Sequence, residues 1–450
     1  MTKILCWNVN NFSTNGFYPG PNDKPRSVGD DGEYDVPAAP ADAKDRREVL
    51  LGAIEDVEPD IVVIIEVQPG KNNITAGELV ADTASYELLQ SIRKRLLIVD
   101  SDEFCLVPPL VCGVGGLSEG VAVYYRWKKL QFLGPYGWAG IQAQPVDVIG
   151  GPDKLGVYHG SWGAHSLPNR EVPDGWPSEG CREDRLAGQF AFTSAVGAVL
   201  KFPEKNSRTP WLTMFRDIAG KRLIKLLSYH APPDADKATS GIAQLAAIPE
   251  ITTDPLKENE VRCIVGDFNV STFDPAGPVA YDPLKKAPAS YIMRFDPAAL
   301  GAAPPHEARG YYLTALQLGK QARPWISDKE GTVIYGYPAF DYMGDGAIDN
   351  AFTRHGGKAG AASEMTVCNP VTKSPYKCDP DPPKHVLQGT YKVQSYLTNK
   401  GIFAYDPKND EYGIDGGDDN ADDVMEEFRK WENYTHIRST SDHLPIALDV

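Results

Sequence analysis

The sequence predicts an α+β protein in which β-sheets and helices are packed in layers. Short runs of apolar and β-branched residues, typical of buried strands, recur along the chain and alternate with stretches of helical spacing. The 450 residues are 42% hydrophobic and 24% charged, which indicates a globular protein with a large core. No run of about 18 apolar residues is present, so no membrane span is expected. Length alone favours two or three domains.

The first elements of the chain alternate between strand and helix. Residues 3–9 form an apolar, β-branched run that indicates a strand. Residues 45–57 have apolar side chains at helical spacing, and Pro59 ends this predicted helix. Residues 61–65 are the continuous run IVVII, which is typical of a fully buried strand, and a second helix is predicted at residues 76–97.

The rest of the chain contains further strands separated by long irregular segments. Apolar runs of strand length occur at residues 121–125, 196–202, 223–228, 261–265, 347–353 and 443–450. Helical spacing predicts helices at residues 236–248 and 422–431. Residues 130–188 are rich in Gly, Pro and Trp, which favours loops. Two segments, residues 271–343 and 354–420, are too long for ordinary connections and are interpreted as insertions or functional loops.

Charge and cysteine content narrow the range of functions. A formal net charge of −16 argues against binding to DNA or anionic membranes through bulk charge alone. The seven cysteines are dispersed and form no CxxC pair, which favours reduced thiols, although a bridge between Cys368 and Cys378 stays open. The first residues enter a strand without a basic and then apolar leader. We therefore expect a cytoplasmic protein.

Polar side chains stand where the apolar runs stop. They are Asn8, Glu66, His230, Asp267, Asn269, Asp442 and His443. In a layered sheet protein, residues at strand ends point into a common cleft. Carboxylate and amide oxygens are ligands that suit Mg²⁺ or Mn²⁺, and no thiolate is needed. The pattern therefore predicts a divalent-metal site that Mg²⁺ or Mn²⁺ would occupy.

The motifs around these residues resemble those of the endonuclease/exonuclease/phosphatase superfamily, which has the deoxyribonuclease I-like fold. In chain order they are WNVNNF, IIEVQ, SEGVAVYYR, SYHAPP, GDFNV, IDNAF and SDHLP. The resemblance runs from Asn8 to His443 and so covers nearly the whole chain. It implies one catalytic domain over residues 1–450, built as a four-layer α/β/β/α sandwich of two mixed β-sheets flanked by helices. It also implies that residues 271–343 and 354–420 are insertions.

The resemblance implies a role for each of these residues. Three are expected to hold the metal: Asn8, Glu66 and Asp442. Asp267 would orient or deprotonate the attacking water, and Asn269 would hold the phosphate or the water. His443 would stabilise charge on a non-bridging oxygen, and His230 would assist the leaving group.

Two further carboxylates match the family as partners of the histidines. Glu119 in SEGVAVYYR resembles the residue that orients His230, and Asp349 in IDNAF resembles the one that orients His443. Such a carboxylate fixes the tautomer of the imidazole and raises its pKa. Asp341 is an alternative to Asp349, so this second pairing stays open.

The sequence also departs from the nuclease pattern. Deoxyribonuclease-like members have an Arg early in the strand that reads SAVGAVLKF here, and the matching position is Ala195. Arg182 and Arg185 lie just upstream and are candidates to replace it. The Arg that follows the metal-binding Glu in those nucleases is Gln68 here. Both differences weaken the likeness to enzymes that cut duplex DNA.

The resemblance supports a reaction class more strongly than a substrate. It implies a metal-dependent hydrolase of phosphodiester bonds, and we expect a nuclease whose partner is nucleic acid, either DNA or RNA, or another phosphodiester substrate. Two alternatives stay open within the same fold: a phosphomonoesterase or a lipid phosphodiesterase. A non-catalytic binding protein is the alternative from another class, although such a protein would not need Asp267 beside Asn269.

Overall fold

The computed structural model describes two β-sheets, several helices and parts of the connecting segments. The described residues are 1–12, 43–68, 76, 83–95, 104–113, 118–136, 145–146, 156–157, 192, 194–196, 198–253, 256–272, 277–295, 314, 325–327, 332–335, 348–357, 365–368, 375–377, 389–392, 404–406, 411–413, 441 and 443–450. Strands and helices are numbered in chain order.

The first sheet has seven strands among the described residues. Their spatial order is β16 (Pro375–Lys377), β15 (Thr366–Cys368), β20 (Ile446–Asp449), β1 (Lys3–Phe12), β2 (Ile61–Val67), β4 (Glu119–Arg126) and β3 (Phe104–Cys112). β1 and β2 are parallel, and the other pairs are antiparallel, so this sheet is mixed. The IVVII run is the first part of β2, and its five residues are all buried, as expected for a central strand.

The second sheet has six strands in the part of the chain that the structure describes. Their order is β11 (Ile292–Met293), β14 (Asp349–His355), β10 (Glu260–Asp267), β9 (Leu223–His230), β8 (Trp211–Asp217) and β5 (Leu130–Tyr136). β9 and β10 are parallel and their neighbours are antiparallel, so this sheet is also mixed.

Smaller strands and seven helices complete the described elements. A three-stranded sheet contains β12 (Trp325–Ser327), β13 (Thr332–Tyr335) and β17 (Gly389–Lys392), and two pairs are formed by β6 (Pro145–Val146) with β7 (Gly156–Val157) and by β18 (Ala404–Asp406) with β19 (Glu411–Gly413). The helices are α1 (Ala43–Val57), α2 (Thr83–Arg95), α3 (Pro203–Asn206), α4 (Ala235–Leu245), α5 (Pro249–Thr252), α6 (Gly277–Ala280) and α7 (Asp282–Lys285). None of these helices has the length and apolar character needed to cross a membrane.

Contacts on both faces of each sheet define four layers. Tyr124 of β4 donates a hydrogen bond to the Ser85 carbonyl of α2 at 2.8 Å. The next residue, Tyr125, points to the opposite face, where its ring centroid lies 5.1 Å from that of Phe215 on β8. On the far side of the second sheet, Lys225 of β9 bonds to the Glu250 carbonyl of α5 at 3.1 Å. The order helix, sheet, sheet, helix confirms the predicted α+β sandwich.

Several predicted elements differ from the structure. No strand forms among the described residues of 196–202, where the Val196 and Val199 side chains are exposed; this prediction was wrong because these side chains have no sheet face on which to pack. Conversely, β5 and β8 were not predicted as strands. The predicted helix at residues 422–431 lies outside the described residues. Both segments interpreted as insertions contain strands of the two sheets: β11, β15 and β16.

Candidate active site

Strand direction brings the predicted residues to one edge of the two sheets. The parallel strands β1, β2, β9 and β10 run toward this edge, and the antiparallel strands β4 and β14 begin there. The residues that they contribute are Asn8, Glu66, His230, Asp267, Glu119 and Asp349. His443, which precedes β20, joins them through its contact with Asp349. All seven form one cluster of side chains at this edge, called the cleft below.

The Asn8 side chain links the two sheets at the centre of the cleft. Its amide nitrogen Nδ2 donates to Glu66 Oε1 at 2.9 Å and to Asp267 Oδ2 at 3.0 Å. Its amide oxygen accepts the backbone N–H of Asn10 at 3.1 Å, which fixes the orientation of the amide. Asn8 is fully buried, and its two donated hydrogen bonds hold the two carboxylates close together.

A β-bulge turns Glu66 toward the cleft. The pairing of β2 with β4 shifts its register between Ile65 and Val67, so Glu66 is the extra residue of the strand. Its φ angle of 65° lies in the left-handed region, which is uncommon for a residue with a side chain. Asn10 and Asn269 also have positive φ angles, of 28° and 50°. Such backbone conformations cluster at functional sites, where the surrounding structure enforces them.

Asp267 lies in the middle of a row of three site residues on adjacent strands. It pairs with His230 of β9 on one side and with Asp349 of β14 on the other. The Asn269 backbone N–H donates to Asp267 Oδ1 at 2.9 Å, which leaves Oδ2 facing the cleft. The Asn269 amide nitrogen donates to the Ala231 carbonyl at 2.9 Å, so this side chain fastens the loop after β10 to the end of β9.

His443 is held by contacts on its ring and its backbone. Its Nδ1 lies 2.7 Å from Asp349 Oδ2, the carboxylate that the family motif matches to it, and the alternative, Asp341, lies outside the described residues. The Trp7 indole N–H donates to the His443 carbonyl at 2.8 Å. The Ser441 hydroxyl accepts the His443 N–H at 3.0 Å and donates to the Asn8 carbonyl at 2.5 Å. The His443 Nε2 atom therefore faces Asp267 Oδ2, at 3.6 Å.

His230 faces the same carboxylate from the other side. Its Nε2 lies 3.5 Å from Asp267 Oδ2 and 3.6 Å from Glu66 Oε1. Its Nδ1 lies 3.2 Å from Glu119 Oε2, so the expected partner is in place. Arg208 forms an ion pair with the other oxygen of Glu119, and its Nη1 lies 3.0 Å from His230 Nδ1.

Arg208 is a site residue that the sequence interpretation missed. It lies three residues before β8, and β8 begins opposite Ser228, near the end of β9. Its side chain is buried, and its Nε donates to Glu204 Oε2 at 3.0 Å. Ala195, the position that had been matched to the family Arg, is exposed in a turn. Arg182 and Arg185 lie outside the described residues.

Burial and neighbouring charges set the protonation of the cleft. Burial raises the pKa of Asp267; His443 opposes this shift and Asp349 adds to it. Burial lowers the pKa of His230, but the Glu119 carboxylate outweighs it and holds this pKa well above its ordinary value. Burial also raises the pKa of Glu119, yet His230 and Arg208 bring it below its ordinary value. The expected state is a His230 imidazolium paired with a Glu119 carboxylate.

Two groups of side chains among the described residues have the geometry to hold an ion. One contains Glu66, His230 and Asp267, and the other contains Asp267, Asp349 and His443. Within each group the candidate ligand atoms lie within 4.8 Å of one another. The hydrogen bonds from Asn8 keep the Glu66 and Asp267 oxygens adjacent, so this donor set fits a hard divalent cation. Asp442, the third predicted ligand, lies outside the described residues.

The sequence and the fold were compared with those of known families and solved structures. The sequence matches a family model described as the Endonuclease/Exonuclease/phosphatase family over residues 5–355. No curated protein matches the sequence. Among solved structures, the chain is similar to D. rerio TDP2 humanized by 14 mutations, with 11% identity, a TM-score of 0.41, and coverage of 100% of this chain and 99% of that chain.

Two other solved structures show a similar degree of likeness. The endonuclease/exonuclease/phosphatase from Bacteroides vulgatus has 13% identity and a TM-score of 0.37, with 78% of this chain and 86% of that chain covered. The human Nocturnin catalytic domain with bound sulfate has 11% identity and a TM-score of 0.36, with 78% and 91% covered.

Proposed function

The chain belongs to the endonuclease/exonuclease/phosphatase family, which hydrolyses phosphoester bonds, and we propose that it is a Mg²⁺- or Mn²⁺-dependent nuclease. In this proposal it cleaves phosphodiester bonds of DNA or RNA within one catalytic domain. The observation that carries the proposal is the flanking of Asp267 by two histidines. Their Nε2 atoms lie 3.5 and 3.6 Å from Asp267 Oδ2, and each ring has its own carboxylate partner.

The residues around Asp267 can perform a hydrolysis in which water attacks phosphorus and the P–O ester bond breaks. Asp267 would accept a proton from the attacking water, because its Oδ2 faces the cleft and its Oδ1 is occupied by the Asn269 N–H. His443, held by Asp349, would donate a hydrogen bond to a non-bridging oxygen. His230 would give its proton to the leaving oxygen, and Glu119 would stabilise the imidazolium before transfer.

Glu66, together with Asp442, would hold the cation, which would lie beside Asp267. A bound divalent cation lowers the pKa of water and neutralises phosphate charge. Asn8 positions the Glu66 and Asp267 carboxylates through its amide nitrogen. Since its oxygen is engaged by the Asn10 N–H, direct ligation by Asn8 would require its amide to turn over.

Arg208 supports the position of His230 in the proposed reaction. The apparent loss of an Arg at Ala195 was one of the two differences that weakened the likeness to nucleases. Arg208 supplies a buried guanidinium on the Nδ1 side of His230, where Glu119 and Glu204 already pair with its charge, so it acts on the site through His230 and Glu119. Its ion pairs with Glu119 and Glu204 hold it in position.

The test is a metal-rescue assay on the EDTA-treated protein with Mg²⁺, Mn²⁺ or Ca²⁺. The substrates are supercoiled plasmid, single-stranded DNA, RNA, bis-p-nitrophenyl phosphate and p-nitrophenyl phosphate. Wild type is compared with Glu66→Gln and with Asp282→Asn, a control that removes one negative charge from a partly exposed ion pair on α7. We expect cleavage of nucleic acid that requires metal, is lost in Glu66→Gln and persists in Asp282→Asn.

The other outcomes would contradict the proposal in different ways. Hydrolysis of the small diester without cleavage of nucleic acid would replace the nuclease by another phosphodiesterase. Hydrolysis of p-nitrophenyl phosphate alone would indicate a phosphomonoesterase. Binding of metal without turnover of any substrate would favour a non-catalytic binding protein.

A further inference from the structure

Thr314 is a buried residue of segment 271–343 that contacts both supports of His443. Its side chain is fully buried. Its hydroxyl oxygen accepts the backbone N–H groups of Ile348 at 3.1 Å and Asp349 at 2.9 Å. Its carbonyl accepts the backbone N–H of Leu444 at 2.7 Å. Thr314 therefore touches the residue that orients His443 and the residue that follows His443.

These three bonds join two strands that do not otherwise pair with each other. Asp349 begins β14 in the second sheet, whereas His443 precedes β20 in the first sheet. No ladder of sheet hydrogen bonds therefore sets the distance between Asp349 and His443. Their contact, at 2.7 Å between Asp349 Oδ2 and His443 Nδ1, depends on how the start of β14 sits against the chain before β20. Thr314 lies at that junction.

We propose that Thr314 is a positioning residue that holds Asp349 against His443. Its hydroxyl accepts two N–H groups at the start of β14, which fixes the backbone that carries the Asp349 carboxylate. Its carbonyl fixes the backbone beside the imidazole. A segment that the sequence suggests is an insertion thus supplies part of the support for the catalytic histidine. The effect on catalysis rests on the proposed function, whereas the effect on the hydrogen bond does not.

Substitutions of Thr314 can distinguish a positioning role from a packing role, because its hydroxyl accepts two hydrogen bonds that a side chain of the same shape can lack. Valine has nearly the shape of threonine but cannot accept a hydrogen bond, so Thr314→Val leaves two buried N–H groups without their acceptor. Serine retains the hydroxyl and loses only a methyl group. Thr213 on β8 is a matched control, because it is equally buried and its hydroxyl donates to the Leu226 carbonyl at 3.4 Å, on a strand that pairs with neither β14 nor β20.

The experiment measures the His443–Asp349 hydrogen bond directly in protein labelled with ¹⁵N-histidine. The downfield NMR signal of the His443 ring Nδ1–H, assigned by its loss in His443→Gln, is compared among the wild type, Thr314→Val, Thr314→Ser and Thr213→Val. We expect this signal to be lost or shifted in Thr314→Val and retained in the other two variants. On a cleaved substrate, kcat of Thr314→Val should fall about 10- to 100-fold, as for other residues that orient site groups, with KM little changed.

An unchanged ring signal in folded Thr314→Val would overturn the proposal, as would an equal loss in Thr213→Val. If Thr314→Val does not fold, Thr314→Cys takes its place, because a thiol is only a weak acceptor and the same direction is expected. If no substrate is cleaved, the NMR result still decides the role of Thr314, so failure of the proposed function is distinguishable from failure of this inference.

Discussion

Asp267, at the end of β10, contacts four other residues of the site. It accepts from Asn8 and from the Asn269 backbone, and it faces both histidines. These partners come from both sheets and all belong to the site, so a change at Asp267 acts on the site rather than on the apolar core. Asn8, Glu66 and Asp267 could be found from sequence because each follows an apolar run and has a side chain that suits a metal site.

The Asp267 carboxylate should be indispensable for hydrolysis. Asp267→Asn keeps the shape of the side chain but cannot accept a proton, so kcat should fall about 10²- to 10⁴-fold. The measurement is turnover of the substrate identified in the metal-rescue assay, with Asp282→Asn as the variant that loses the same charge elsewhere. A rate for Asp267→Asn within a few-fold of that control would remove Asp267 from the proposed chemistry.

The Glu119 carboxylate should control the protonation of His230. Burial lowers the His230 pKa and Glu119 raises it above its ordinary value, so Glu119→Gln should lower it. The His230 ring should then lose its proton at a lower pH than in the wild type. The measurement is an NMR titration of the ring in metal-free protein, with Glu204→Gln as control, because Glu204 contacts Arg208 rather than the imidazole. Equal titration midpoints for wild type and Glu119→Gln would contradict the pairing.

The position of Arg208 shows what sequence reasoning could not supply. Arg208 reaches the cleft because β8 runs antiparallel to β9, so residues before Trp211 lie beside the end of β9, where His230 is located. The interpretation instead assigned a strand to residues 196–202 and overlooked WLTMF. Had residues 211–217 been recognised as a strand, the Arg just upstream would have been a candidate. Thr314 had no such signal, since its partners are set by tertiary packing.

At the scale of elements, the distance between β9 and β10 depends on a glycine. Gly266 pairs with Tyr229, and a Cβ at Gly266 would lie 1.8 Å from the Tyr229 carbonyl oxygen. Its φ of 155° is also unfavourable for residues with a side chain. The glycine of GDFNV is therefore required by the close approach of two parallel strands next to the site.

Gly266→Ala should separate β9 from β10 and lower the free energy of unfolding by about 3 kcal/mol, the upper end for overpacked sites. Denaturant unfolding measures the loss. Gly357→Ala is the control, because no described atom lies within 4 Å of a Cβ at that position. If both variants unfolded at the same denaturant concentration, the close approach would not be a constraint on the fold.

His355 at the end of β14 should make the fold sensitive to acid. Burial and the charges of Arg294 and Arg222 lower its pKa from 6.5 to about 4. Between these values the unfolded chain binds a proton that the folded chain does not, so stability is lost as pH falls through this window. Unfolding free energies measured from pH 7 to pH 4 should therefore decrease more steeply for wild type than for His355→Gln. Parallel curves would show that His355 does not contribute.

At the scale of the whole molecule, the candidate metal site spans the two sheets. Glu66 belongs to the first sheet and Asp267 to the second, and Asn8 holds their oxygens together. The His230 imidazolium offsets part of the repulsion between these two carboxylates, and a divalent cation beside them would offset more of it. An ion at this position would therefore bind the folded sandwich and not the separated sheets, so metal binding and folding should be linked.

Saturating Mg²⁺ should raise the melting temperature of the EDTA-treated protein, because a ligand that binds only the folded state at about 100 times its Kd adds about 2.7 kcal/mol of stability. Glu66→Gln removes a carboxylate of the proposed metal site, so it should gain little stability from Mg²⁺. Asp282→Asn should respond to Mg²⁺ as the wild type does. Thermal unfolding with and without Mg²⁺ tests all three proteins. An equal gain in Glu66→Gln and wild type would mean that the ion binds elsewhere, and the two sheets would then be held together at this edge by Asn8 without its help.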